Sequence, residues 1–318
     1  MSWFRRRQRK RDDPELGRPD DHLRPLTVGD AQDLTELVRV AFAAEGVEVV
    51  PDGRGALIGD HRTYGLTNLA ALVAQQPRRH WSRLARRHAR GILAAHEADD
   101  EPIDTDSARS RVLLKLRPVN DVGRGVHYAP EILPGILLLV AIDHPDHVRE
   151  LFSDDAVDEL GGWHEVRDLA VSNLRALPQP AHKVIRADPE RGDSIVHLFA
   201  ADDFFGAARL AILPEVLAHV GIERPAHGVL LAVPNRHLLL VHPLEGPGVI
   251  PAVQLMVRMA TAEFQGHTGP LSPQVYYRSA DGEVQQVTTQ DEDEGSVAVR
   301  VEGPFAEAFD AMGLTSDD

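Results

Sequence analysis

The chain has 318 residues, of which 43% are hydrophobic and 26% charged, with a net charge of −15 and no cysteine. Those proportions are those of a globular protein, and the length predicts two domains rather than one core. The missing cysteines exclude disulfides, thiolate metal sites, iron–sulfur clusters and a cysteine nucleophile, so any metal would rest on His, Asp or Glu.

The charge is unevenly spread. Residues 1–95 hold 17 Lys/Arg against 12 Asp/Glu, a balance of +5, and residues 96–318 hold 17 against 37, a balance of −20. The acidic stretch repels phosphate backbones, so nucleic acid is expected only on the N-terminal part, if anywhere. The longest apolar run, Ile136 to Ile142, is far shorter than the ~20 residues of a membrane-spanning helix. The basic start, Met1 to Arg11, lacks the apolar core of a signal peptide, and a cytoplasmic protein is expected.

Residues 1–26 read as a disordered basic and acidic tail. Thr27 to Asp30 resembles a capping box, and Leu34, Leu37, Val38, Ala41 and Phe42 follow at helical spacing. Val47 to Val50 and Ala56 to Gly59 flank Pro51-Asp52-Gly53-Arg54 as a hairpin. Helices are predicted over Leu66 to Ala74 and Pro77 to His96, the second amphipathic and rich in arginine. An N-terminal α+β domain thus covers 27–96, and the acidic, apolar-poor segment 97–110 reads as a linker.

From Arg111 short apolar runs alternate with helices. Strands are predicted at Val112–Leu116, Ile136–Ile142, Lys183–Arg186, Ser194–Phe199, His227–Val233 and His237–Val241. Helices are predicted at Asp143–Phe152, Trp163–Leu177, Asp203–His219, Ile250–Phe264 and Pro304–Met312. A hairpin over Gln274–Thr288 closes the sheet. The blocks imply an α+β fold with a mixed sheet across 111–312 and a short acidic tail over 313–318. The order strand, strand, helix, strand, strand over 111–200 recurs over 227–289, as an internal duplication would produce.

Neither a Walker-type phosphate loop, a dinucleotide fingerprint nor a Gly-x-Ser-x-Gly elbow is present, and no cofactor is expected. The densest chemical cluster is Asp143, His144, Asp146 and His147, a His/Asp set suited to Zn²⁺, Mn²⁺ or Fe²⁺ and hence to a metal-dependent hydrolase. Its structural alternative makes Asp143 a helix cap, Pro145 a first-turn residue and Asp146 a complement to the helix dipole. Arg83, Arg86, Arg87 and Arg90 form a cationic helix face for phosphates, an anionic lipid surface, a partner or the chain's own acidic half, or a merely solvated one.

Beyond residue 130 four stretches carry a likeness. They are Ile136-Leu137-Leu138-Leu139-Val140-Ala141-Ile142-Asp143; Trp163 with Ala170-Val171-Ser172-Asn173-Leu174; Asp203-Phe204-Phe205-Gly206-Ala207-Ala208-Arg209-Leu210; and Ala232-Val233-Pro234-Asn235-Arg236-His237-Leu238-Leu239. In these the chain resembles the YtpQ-like family of bacterial proteins, a resemblance that implies no reaction. Among their polar residues, Arg236 with Asn173 and Asp203 is a second set for contact with an anion or partner. With no familiar catalytic motif and a strong charge asymmetry, the sequence favours a non-catalytic regulatory or protein-binding module. The metal-dependent hydrolase and a nucleic-acid or membrane-surface binder stand as alternatives.

Overall fold

The computed structural model describes residues 14–59, 62–99, 103–122, 126–145, 148–290 and 297–314, with the side chains of 95–99 and 290 left aside. The protein is α+β and divides into two compact units: residues up to Pro102 together with Gln265–Gly269, and Ile103–Phe264 together with Pro270 onward. Among the described residues no helix is long and apolar enough to cross a membrane.

In the first unit α1 (Val28–Ala44) starts where the Thr27 hydroxyl accepts a hydrogen bond from the Asp30 N–H, and it buries Ala31, Leu34, Val38, Ala41 and Phe42 along one stripe. A meander follows: β1 (Val50–Pro51), β2 (Ala56–Gly59) and β3 (Arg62–Gly65), with the Asp52 carboxylate accepting from the N–H groups of Arg54 and Ala56 inside the first turn. Helix α2 (Thr67–Ala74), a 3₁₀ turn at Arg78–His80 and α3 (Trp81–Asp99) complete it. Leu34, Phe42, Leu57, Leu66, Trp81 and Ala85 meet in one core, where each large apolar side chain is worth roughly 1.5–3 kcal/mol. Residues 14–26 belong to this unit rather than to a disordered tail, because Leu23 and Leu26 are buried in its core and Pro19 bridges to Thr27.

The second unit begins inside the expected linker. Helix α4 (Thr105–Arg109) is anchored by buried Ala108. The sheet that follows has β4 (Val112–Pro118) and β5 (Glu131–Leu133) on either side of β6 (Ile136–Asp143), and β7 (Val148–Glu150) also pairs with β6. One face is apolar, with Val112, Leu114, Leu138, Val140 and Ile142 in the core that also holds residues of α5 (Asp154–Glu159) and α6 (Trp163–Ala176). The predicted helix over Asp143–Phe152 is therefore wrong: Asp143 ends β6, and Val148–Glu150 returns along it antiparallel.

A six-stranded sheet has the order β13–β12–β10–β11–β9–β8. It comprises β8 (Ala181–Arg186), β9 (Ile195–Ala200), β10 (Val229–Asn235), β11 (Leu238–Pro243), β12 (Tyr276–Arg278) and β13 (Val284–Gln286). Phe199, Leu231, Val233, Leu239 and Val241 join the core of the first sheet, and Leu230, Ala232 and Leu240 pack with α8 (Val249–Gly266) and α9 (Gly303–Ala311). Helix α7 (Leu213–His219) follows a 3₁₀ segment, Ala207–Ile212, so the helix expected from Asp203 is a true α-helix only from Pro214's first turn onward. A ribbon of β14 (Thr288–Gln290) and β15 (Val297–Val299) precedes α9.

All recorded pairings are antiparallel, so these sheets are not mixed. Nor do the two stretches repeat one topology. The first splits its strands between two sheets, β4 and β6 apart from β8 and β9, whereas β10 to β13 lie together.

Candidate functional site

Helix α3 presents its apolar stripe of Trp81, Leu84, Ala85 and Ala89 to the core, which leaves Arg83, Arg86, Arg87 and Arg90 on the opposite side. Their i, i+3, i+4, i+7 spacing stacks them over two turns, about 10 Å of helix. Together with Gly91 they line an open hollow of about 620 Å³. Arg90 is paired with Glu45 at 2.7 Å, and the Arg86 Nε donates to the Ser82 carbonyl at 3.3 Å. Among the described residues Arg83, Arg86 and Arg87 form no ion pair, so three guanidinium groups keep their charge for a partner. Gly91 is exposed in mid-helix, and a methyl group there would meet no atom within 4 Å. Packing therefore does not require this glycine, although glycine costs a helix about 1 kcal/mol relative to alanine.

Arg78, by contrast, is structural. It holds Asp30 and Asp33 and lies over the Trp81 ring, its Cζ 4.5 Å from the centroid. His88 is turned inward, where burial pulls it down to about 4 against the hydrogen bond with the Gly65 backbone.

On the other face of the first sheet, among buried Leu113, Leu139 and Ala141, the second unit gathers a group of charges. Lys115 and Arg117, two residues apart on β4, reach across β6 to Glu150 on β7. Lys115 Nζ donates to Glu150 Oε1 at 2.6 Å, and Arg117 donates through Nε to Oε2 at 2.6 Å and through NH2 to Oε1 at 3.0 Å. Burial alone would raise the Glu150 carboxyl; the two cations and their hydrogen bonds overcome it and hold the group below its ordinary value. Lys115 shifts the other way. Burial lowers it more than the single shared carboxylate restores, and Arg117 and Arg236 add repulsion. Neither Lys115 nor Glu150 was anticipated. The signal was a lysine amid Val112-Leu113-Leu114 and Leu116.

Arg236 sits in the β10–β11 turn with its Cζ 4.4 Å from the Phe204 ring centroid, and its Nε donates to His237 Nε2 at 3.0 Å. The His237 Nδ1–H in turn faces the carbonyls of Asp203 and Ala201. The Asp203 carboxylate accepts two bonds from buried Arg209 and one from the Phe205 N–H. Gly206 makes this approach possible, since a Cβ there would lie 2.4 Å from the His237 carbonyl oxygen. Arg236 and Asp203 thus share a neighbourhood through His237, but Asn173 is spent elsewhere: its amide donates to the Arg109 and Val112 carbonyls at 3.1 and 2.9 Å.

Of the expected metal set, Asp143 is half-buried at the end of β6, raised by burial and by the nearby Asp203 charge. It caps no helix. His144 Nδ1 lies 3.2 Å from an Arg111 guanidinium nitrogen, and Asp146 and His147 lie outside the described residues. Among the described residues no three His, Asp or Glu side chains gather closely enough to hold an ion. Tyr128, whose hydroxyl donates to the Leu151 carbonyl and accepts from the Val140 N–H, is pushed up to about 12 by burial. Its hydroxyl stays protonated near neutrality.

Comparison with protein-family models, curated proteins and solved structures returns no match.

Proposed function

We propose that this is a non-catalytic protein-binding module of the bacterial cytoplasm, related to the YtpQ-like family, whose α3 arginine face takes an acidic polypeptide. The observation that carries the reading is one hollow lined by Arg83, Arg86, Arg87 and Arg90, three of them without a carboxylate partner among the described residues. Guanidinium groups spaced along two turns suit discrete carboxylates, which they bind in bidentate fashion. A long polyanion would have to approach a chain of net charge −15, whereas a short acidic segment meets mainly the local cationic field.

The test uses the full chain and a helix-forming peptide with glutamates at i, i+3, i+4 and i+7. The peptide should bind at low salt, weaken as salt rises, and bind at least 10-fold more weakly to the Arg83→Glu/Arg87→Glu double variant. Stronger binding of duplex DNA or of anionic vesicles would overturn the choice of partner, and peptide affinity unchanged in the double variant would overturn the site.

A further inference from the structure

The two edges of the six-stranded sheet are treated differently by the chain. At the β13 edge Gln285 is covered: its Nε2 donates to the Glu302 carbonyl and its Oε1 accepts from the Phe305 N–H. At the β8 edge nothing comparable occurs among the described residues. All six residues from Ala181 to Arg186 are exposed, including Val184 at 54% and Ile185 at 38%. An edge strand normally has one face on the core; this one has neither.

The strand is nonetheless regular. It keeps an unbroken register with β9 from Ala181↔Ala200 to Arg186↔Ile195 and contains no proline or bulge. The Ala187 N–H donates to the Ser194 carbonyl, which fixes the parity of the ladder. Odd-numbered residues bond inward to β9, and the N–H and C=O groups of His182, Val184 and Arg186 point to the open edge. Those groups are a template for one more strand.

Charge decides what that strand is. Lys183 and Arg186 lie on opposite faces of β8, β8 itself carries no acid, and neither cation forms an ion pair among the described residues. A second copy of β8 would bring four such cations into one ribbon. With Lys183 on the twofold axis the two lysines would face each other, and with Val184 there no carboxylate would be supplied. The edge is guarded against itself and open to an acidic strand.

We infer that β8 accepts an extended acidic segment of a partner protein as a seventh strand, with carboxylates opposite Lys183 and Arg186 and β-branched side chains opposite Val184 and Ile185. This site involves none of the α3 arginines and stands independently of them.

The probe is a fluorescent Thr-Glu-Val-Val-Glu-Thr peptide, with Thr-Lys-Val-Val-Lys-Thr as its counterpart, titrated into the full chain. The acidic peptide should bind at least 10-fold more tightly and protect the amides of His182, Val184 and Arg186 from hydrogen exchange. Val184→Pro removes an outward N–H without breaking the β9 ladder, so the fold should persist and binding should fall at least 10-fold. Lys183→Glu/Arg186→Glu should reverse the preference to the basic peptide. Equal binding of both peptides, or binding unchanged by Val184→Pro, would overturn the inference. A dimer in sedimentation that Val184→Pro dissociates would also overturn it, in favour of a second copy. Arg83→Glu/Arg87→Glu should leave this binding intact, which separates its failure from that of the α3 reading.

Discussion

Glu150 is shared by two cations inside the second unit, so Glu150→Gln is a sharp test of whether that cluster is held as a unit. The side chains of Lys115 and Glu150 are 9% and 8% exposed, and Arg117 is more open at 34%. Neutralising the carboxylate leaves Lys115 buried with Arg117 beside it and nothing opposite. Removing one partner of a buried ion pair costs about 3–5 kcal/mol, and that range applies to Lys115; the more solvated Arg117 adds little. The variant also predicts a pH signature. Burial and Arg117 already depress the Lys115 pKa in the folded state, so between that value and the unfolded lysine value of about 10.4 the unfolded chain binds more protons, and stability rises with pH. The deficit of Glu150→Gln should therefore be largest near pH 7 and shrink towards pH 10. Lys115→Met, which leaves the bidentate Arg117–Glu150 pair intact, should cost no more than about 1 kcal/mol. Urea unfolding of the full chain, read from hydrogen exchange at β4 and β6 amides, measures all three. A cost for Glu150→Gln below about 1 kcal/mol at pH 7, or one independent of pH, would refute the argument.

Gly91→Ala should stabilise the first unit by about 1 kcal/mol, because alanine is the better helix former and its methyl meets no atom within 4 Å; slower exchange of α3 amides is the readout. The same methyl projects into the arginine-lined hollow, so weaker binding of the acidic peptide should accompany the gain in stability. His88 is neutral in the fold down to about pH 4 and titrates near 6.5 when unfolded. Its contribution is complete above 6.5 and declines as pH falls towards 4, by about 3 kcal/mol, and His88→Leu should abolish that slope in the exchange of α3 amides. Asn173→Ala removes donors from the Arg109 and Val112 carbonyls and should cost about 1–3 kcal/mol, seen as faster exchange in α4.

The sequence made legible what depends on local period. The apolar run Ile136–Ile142 is a strand and Trp163–Ala176 a helix, whereas Pro234 and Asn235, which read as a turn signal, end β10 and the turn falls on Arg236 and His237. The α3 arginines were legible for the same reason, since helical geometry alone places 83, 86, 87 and 90 on one side. Non-local pairing was not legible. Asp143-His144-Pro145-Asp146 carries helix-start residues, yet the three-residue strand β7 forms because Val148–Glu150 finds the edge of β6, and a strand that short has no periodicity to read. Glu150 was thereby assigned to a helix, out of reach of Lys115 and Arg117, whose meeting with it depends on cross-strand register. Leu23 and Leu26 were hidden in a polar segment, where two leucines give no pattern but fill a core.

The contrast between enclosed and exposed cations is what the binding proposal rests on. In the second unit Lys115 and Arg117 close on Glu150, Arg209 closes on Asp203, and Asn173 on two carbonyls. These polar groups answer one another's desolvation cost, which is what a folded interior requires whether or not the protein has a substrate. Arg83 and Arg87 answer no such cost: they are exposed, they share their face with two more arginines, and nothing in the packing of α3 calls for them. The same holds for Lys183 and Arg186 on a strand that buries neither face. Charge that stabilises the fold is enclosed by counter-charge. Like charges left in a row along the α3 face repel one another, and an acidic partner, as proposed, would supply counter-charge there and at the β8 edge.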